Sequence, residues 1–246
     1  MTAGAVERLS PNHDARPAGK AIDLVVVHYT GMRDAESALA RLTDPAAKVS
    51  SHWLIDEDGT LYRLVEEGRR AWHAGVSYWA GERDINGISI GIELVNPGHE
   101  FGYRRFPAAQ MAALTRLCQA IMARHPVPAA RVIGHSDVAP RRKTDPGELF
   151  DWRGLAAAGI GLWPGVADGP ADRELALAAL GRVGYETGPS LADGTSEAAI
   201  KAFQRHFRPQ RIDGRIDAGT AALIYGLAGM LEAPSRGTDR NPRPVR

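Results

Sequence analysis

Cysteine is almost missing from this chain. Cys118 is the only one in 246 residues, so no intramolecular disulfide can staple the fold. It falls in the helix-period run Met111, Leu114, Leu117, Cys118, Ile121, which reads as a small core hydrophobe rather than a reactive thiol. An excess of one charge is missing too: 30 Lys and Arg against 29 Asp and Glu leave a formal net charge of +1. Such a balance supplies no broad field to hold nucleic acid or an anionic membrane. No apolar run approaches the ~20 residues that span a bilayer. The stretch from Met1 to Lys20, with Glu7, Arg8, Asp14 and Arg16, contains no secretory apolar segment. The location expected from these absences is the cytoplasm, or the periplasm if a leader precedes the sequence.

The hydrophobic content of 44% is ordinary for globular cores, and the length suits one large domain or a medium one with a small one. Ile22 to His28 is a continuous β-branched run, as in a strand buried on both faces. An Ala-rich helix follows near Ala35–Leu42. His52–Ile55 and Leu61–Val65 flank an Asp58-Gly59 turn and predict a hairpin. Ile88 to Val95 predicts a central strand, Pro107 opens a helix running to about His125, Arg131–Gly134 is a short strand, and Leu149–Ala158 a short helix. Strands interleaved with helices predict an α/β domain, and the hairpin makes its sheet mixed. Gly159 to Gly169 reads as a linker. Beyond it, Asp172–Leu180, Ser196–His206 and Ala218–Leu227 predict a small three-helix domain. The expected division is 1–165, 170–232 and a disordered tail over 233–246.

Chemistry concentrates at Ile133-Gly134-His135-Ser136-Asp137 and Lys143-Thr144-Asp145-Pro146-Gly147. An imidazole and a carboxylate flank a Pro- and Arg-rich loop, with a lysine two residues before the carboxylate. His28, at the end of the first apolar run, offers a second imidazole. Both imidazoles lie at carboxyl ends of predicted strands, where open α/β sheets carry their sites. Two histidines and one carboxylate are the ligand set of a catalytic zinc site with its fourth position open. Glu93, inside Ile90-Gly91-Ile92-Glu93-Leu94-Val95, must be desolvated unless it faces a polar cleft.

Val27-His28-Tyr29, Ser51-His52-Trp53-Leu54-Ile55, Ala71-Trp72-His73-Ala74-Gly75, Ser89-Ile90-Gly91-Ile92-Glu93 and the His135 and Asp145 blocks, taken in order, resemble the motif series of the zinc-dependent N-acetylmuramoyl-L-alanine amidases. That family includes phage amidases and shares its fold with peptidoglycan recognition proteins. The resemblance covers about Ser10 to Trp152. It implies that His28, His135 and Asp145 bind Zn2+, that Glu93 and Lys143 are the catalytic pair, and that peptidoglycan fragments are the substrate. Where some relatives carry a catalytic tyrosine this chain has Ser51, which shifts the burden to Glu93, as in the bacterial recycling-type enzymes. Trp72 and His73 are expected to line the cleft, with Arg83 and Asn86 near the stem peptide.

The second half resembles the three-helix peptidoglycan-binding module at Gly184-Tyr185, Ala199–Gln204, Ile212-Asp213-Gly214 and Gly219-Thr220, with a departure over Glu186–Gly194. The implied activity is hydrolysis of the amide between N-acetylmuramic acid and L-alanine in muropeptides, including 1,6-anhydro forms. The competing functions are a non-catalytic peptidoglycan sensor and a zinc peptidase acting within the stem peptide.

Overall fold

The computed structural model describes residues 4–187 and 194–232. The expected tail over 233–246 and most of the departing loop at 186–194 lie outside the described residues. The centre is a six-stranded mixed sheet built from β1 (Val6–Glu7), β3 (Leu24–Tyr29), β4 (Trp53–Ile55), β5 (Leu61–Arg63), β7 (Ser89–Leu94) and β8 (Val132–Gly134) in the order β1-β5-β4-β7-β3-β8. Within it β4 and β5 pair antiparallel, while the other neighbours run parallel. The β4–β5 connection is the Asp58-Gly59 turn. Gly59 has φ +88, and a Cβ there would come within 2.9 Å of the Ala109 carbonyl, so backbone conformation and close approach both require glycine. A small second sheet pairs β2 (His13–Ala15) with β6 (Arg69–Ala71).

Side chains alternate across β3, and helices cover both faces. Val25 and Val27 join a core with Leu114, Leu117, Cys118 and Ile121 of α4 (Ala108–Arg124) and with Trp152 and Leu155 of α6 (Trp152–Ala157). That double cover is why the strand reads as an unbroken β-branched run. Cys118 is fully buried there, and burial pushes its thiol up to about 12. Helix α1 (Ala35–Thr43) is capped by the Asp34 side chain on Ser37 N and packs Ala38, Leu39 and Leu42 against Leu54, Leu64 and Val95. Gln110 of α4 donates from Nε2 to the carbonyls of Ile55 (2.9 Å) and Val95 (3.0 Å), tying together the carboxyl ends of β4 and β7.

Among the described residues three helices follow residues 162–172, which have no regular structure: α7 (Arg173–Val183), α8 (Thr195–Phe207) and α9 (Ala218–Glu232). Their apolar residues Leu180, Phe203, Phe207, Ile224 and Leu227 belong to one core with Leu24, Val26, Ile133 and Val138. The helices thus share apolar contacts with the α/β part as well as a chain connection. Short elements complete the fold: α2 (Ile85–Ile88), α3 (Gly98–Phe101) and α5 (His135–Val138). Among the described residues no helix is long and apolar enough to cross a membrane.

Candidate metal centre

The register of the central strands places the site. β3 and β7 pair so that Leu24 lies opposite Ser89, Val26 opposite Gly91 and His28 opposite Glu93. Period-two alternation puts Ser89, Gly91 and Glu93 on one face of β7, beside His28 on β3. β8 pairs with the other edge of β3, Val27 opposite Gly134, so the next residue, His135, emerges at the same carboxyl ends. Asp145 comes back from the following loop. Its carbonyl accepts from Ser136 N at 2.8 Å, and its peptide bond to Pro146 is cis.

His28, His135 and Asp145 are all buried and converge on one point. His28 Nδ1 and His135 Nδ1 are 2.8 Å apart, and Asp145 Oδ2 lies 3.2 Å and 3.0 Å from them. Ligands ~2.0–2.1 Å from a tetrahedral ion are separated by roughly 3.3 Å. The observed triangle is therefore a slightly contracted version of three corners of such a site.

Hydrogen bonding settles what the three atoms present to each other. His135 Nε2 is 3.1 Å from the Ala74 carbonyl, which can only accept, so the proton sits on Nε2. On the other side, Ser89 Oγ donates to the Ile85 carbonyl at 2.5 Å and hence accepts from His73 Nε2 at 3.1 Å. His73 Nδ1 is then an acceptor, and His28 Nε2, 3.1 Å away, donates to it. Burial holds His28 down at about 4 and His73 well below its usual value, so both rings are neutral near pH 7. The Nδ1 lone pairs of His28 and His135 thus face the Asp145 carboxylate. Three electron-pair donors aimed at each other need a cation between them, and this donor set fits zinc.

Beside the cluster lies a cavity of about 170 Å³ lined by Tyr29, Thr30, Met32, Arg41, Val49, Glu93 and Lys143 among others. Glu93 Oε2 is buried without a hydrogen-bond partner among the described residues. Burial first, then the charge of Asp145, pushes Glu93 up to about 8, with the Lys143 charge acting in the opposite direction. A carboxyl so perturbed beside a donor cluster is suited to moving a proton near neutral pH.

The structure brings His28, His135, Asp145, Glu93 and Lys143 together around this cavity. His73 also borders it, but its two ring nitrogens are taken by His28 and Ser89, so it supports a ligand residue from behind. A Cβ on Gly91 would come within 2.5 Å of the His73 ring, which is why β7 carries glycine between Ser89 and Glu93. Trp72, Asn86 and Arg83 do not line the cavity. Asn86 Oδ1 instead accepts from His73 N (3.1 Å) and Ala74 N (2.8 Å), and Arg83 pairs with Glu186 at 2.9 Å over the Tyr78 ring. Trp72 N donates to Ser50 Oγ at 3.0 Å, and Ser50 N donates to the Trp72 carbonyl at 3.0 Å. Ser51 is buried, its Oγ donating to the Trp53 carbonyl. Sequence reasoning missed Ser89 and the Ala74 carbonyl as outer partners, and Arg41 as a cavity residue. Tyr29 and Thr30 directly follow His28, but nothing in the pattern of α1 marks Arg41.

Comparison with known proteins identifies the family. Residues 18–148 match the profile of the N-acetylmuramoyl-L-alanine amidase family. The chain is 38% identical over 251 residues to N-acetylmuramoyl-L-alanine amidase AmiD of Escherichia coli (strain K12), covering 91% of this chain and 90% of that protein. It is 36% identical over 160 residues to 1,6-anhydro-N-acetylmuramyl-L-alanine amidase AmpD of Enterobacter cloacae, covering 58% of this chain and 83% of that protein. Among solved structures, the complex of E. coli AmiD with anhydro-N-acetylmuramic acid-L-Ala-D-gamma-Glu-L-Lys superposes with a TM-score of 0.77 at 38% identity, covering 87% of this chain and 93% of that one. Pseudomonas aeruginosa AmpDh3 gives 0.79 at 36% identity, covering 88% and 95%. With a family profile spanning more than half its length and a relative matched almost end to end, the chain belongs to the N-acetylmuramoyl-L-alanine amidases.

Proposed function

We propose that this amidase is zinc-dependent and hydrolyses the amide between the lactyl group of N-acetylmuramic acid and L-alanine in muropeptides, including 1,6-anhydro forms, in cell-wall recycling or turnover. The observation that carries the reading is the convergence of His28 Nδ1, His135 Nδ1 and Asp145 Oδ2 beside the unpartnered carboxyl of Glu93. The substrate class is supported by relatives solved with anhydro-muropeptides: AmiD with the tripeptide form, AmpDh3 with anhydromuramic pentapeptide.

His28, His135 and Asp145 would hold the ion. When bound, zinc supplies a water of lowered pKa and polarises the scissile carbonyl. Glu93 accepts the proton of the attacking water and returns it to the departing amine of L-alanine. Lys143 faces the oxygen that gains charge as the carbonyl carbon becomes tetrahedral, a role worth ~3–4 kcal/mol in comparable sites. The C–N bond breaks, the lactyl group leaves as a carboxylate, and the stem peptide leaves with a free amino terminus.

Digestion of defined muropeptides by the zinc-loaded protein, read by mass spectrometry, tests the reading. Free stem peptide and unmodified sugar are expected. A cut between amino acids, with the sugar still attached, would make it a peptidase. Binding without any cut would make it a sensor.

A further inference from the structure

Asp137 stands two residues beyond His135 in α5 and is almost excluded from solvent. Its carboxylate accepts from three directions: Gly134 N to Oδ2 at 2.8 Å, the Tyr185 hydroxyl to Oδ1 at 2.6 Å, and His206 Nδ1 to Oδ2 at 2.7 Å. The first donor is local to the turn before His135. The other two come from far along the chain, Tyr185 from just beyond α7 and His206 from α8. His206 is held between Trp152 of α6 (ring centroids 3.9 Å apart, interplanar angle 18°) and its neighbour Phe207 (3.8 Å, 11°), so its Nδ1 has little freedom to turn away. Tyr185 packs edge-on against Trp79, and the carbonyl of Gly184 just before it accepts from Ala80 N at 2.8 Å.

The preceding residue of α8 reaches the other end of the same loop. Arg205 lies 3.8 Å from Glu148, whose carboxylate is 3.1 Å from His99 Nε2. His99 Nδ1 is 2.8 Å from the Tyr29 hydroxyl, itself 3.1 Å from Thr144 Oγ1. Arg205 and His206 thus act on opposite ends of the segment 135–148, which carries His135, Lys143 and Asp145.

Within that segment the support at Asp137 is the firmer. A buried carboxylate with three donors is fixed in place, and removal of two of them frees the turn to shift. Because His135 is the first residue of α5, any shift of Asp137 re-aims its ring. Outer partners of metal ligands act in this way, by orientation rather than contact.

We propose that Tyr185 and His206 are positioning residues of the metal centre: through Asp137 they fix the turn that aims His135 Nδ1, and the C-terminal helices are part of the amidase scaffold. This rests on the zinc reading above. The test uses the full chain and measures zinc affinity by chelator competition, with the unfolding midpoint of the metal-free protein in parallel. Tyr185→Phe removes one oxygen, His206→Phe keeps the ring stack without the donor, and His206→Asn restores an N–H close to the position of Nδ1. The double variant Y185F/H206F is expected to bind zinc at least tenfold more weakly, Y185F alone about threefold to tenfold more weakly, and H206N is expected to recover most of the loss seen in H206F. Because Y185F deletes a single atom, it carries the test if the double variant does not fold. Zinc affinity within twofold of the wild type in Y185F and H206F, even with a lowered unfolding midpoint, would overturn the proposal and leave a merely structural contact. A wild-type chain that held no zinc would instead remove the metal reading, and this inference with it.

Discussion

Replacing His73 offers the sharpest test of the metal centre, because this residue touches no substrate in the scheme above. Its Nδ1 accepts from His28 Nε2 at 3.1 Å, and both rings are buried. In His73→Phe the His28 N–H loses its acceptor inside the protein. An unsatisfied buried donor costs about 1–3 kcal/mol, and at about 1.4 kcal/mol per factor of ten that is roughly fivefold to 150-fold. His28 can avoid the penalty only by moving its proton to Nδ1, which would then point at the ion. Either way zinc binding weakens, and a loss of about 10- to 100-fold is expected, the range seen for outer partners of metal ligands. Ser89→Ala strikes one link further back, leaving His73 Nε2 without its acceptor, and a smaller loss of about tenfold is expected, the lower end of that range. Chelator competition measures both, and nitrogen-15 NMR of the histidines reads the tautomers directly. If His73→Phe bound zinc within twofold of the wild type while remaining folded, the derivation of the His28 Nδ1 lone pair from the Ile85 carbonyl would be refuted.

Three further outcomes follow from the site. Glu93→Ala is expected to keep zinc and lose about 10²- to 10⁴-fold in turnover, whereas His28→Ala loses the metal; zinc content and muropeptide cleavage separate the two, and wild-type turnover in Glu93→Ala would remove Glu93 as the base. Lys143→Met is expected to lower kcat by about 10²- to 10³-fold with zinc content unchanged, and a change confined to KM would show that Lys143 only binds substrate. Metal-free protein is expected to lose stability as pH rises from about 4.5 to about 8, because burial and the Asp145 charge raise Glu93 above its ordinary value and folding therefore favours its protonated form. Glu93→Gln should remove that slope and gain about 2–4 kcal/mol at pH 8; equal denaturation midpoints for the two proteins across that range would refute the burial of an unpartnered carboxyl.

The longer elements were legible from the sequence because each announces itself over several residues. The β-branched run before His28 became β3, Ile88–Val95 became β7, Asp58-Gly59 became the β4–β5 turn, and the expected helix after Pro107 became α4. The two- and three-residue strands β1, β2 and β6 and the four-residue helices α2, α3 and α5 are too short for any period to show. Arg16 is a comparable case. It looks like an ordinary N-terminal charge, yet its guanidinium reaches the carbonyls of Glu67, Asn86, Gly87 and Ser89 and the ring of His52. The cluster of His28, His135 and Asp145 was legible because two imidazoles and a carboxylate together make a recognisable metal-ligand set. Its outer partners were not, since Ala74 and Ile85 contribute only backbone carbonyls and Ser89 becomes meaningful only once the β3–β7 register is known. Asp137 likewise reads as a plain acidic residue until Tyr185 and His206 arrive from the far end of the chain.

The lone sulfur in α4 has a practical consequence. Cys118 is sealed between that helix and the sheet, and its proton is held up to about 12. A thiolate-directed dye must therefore wait for the helix to lift before it can react. With no second sulfhydryl to confuse the signal, the rate of dye uptake is a clock for how often the layer behind the central sheet peels open.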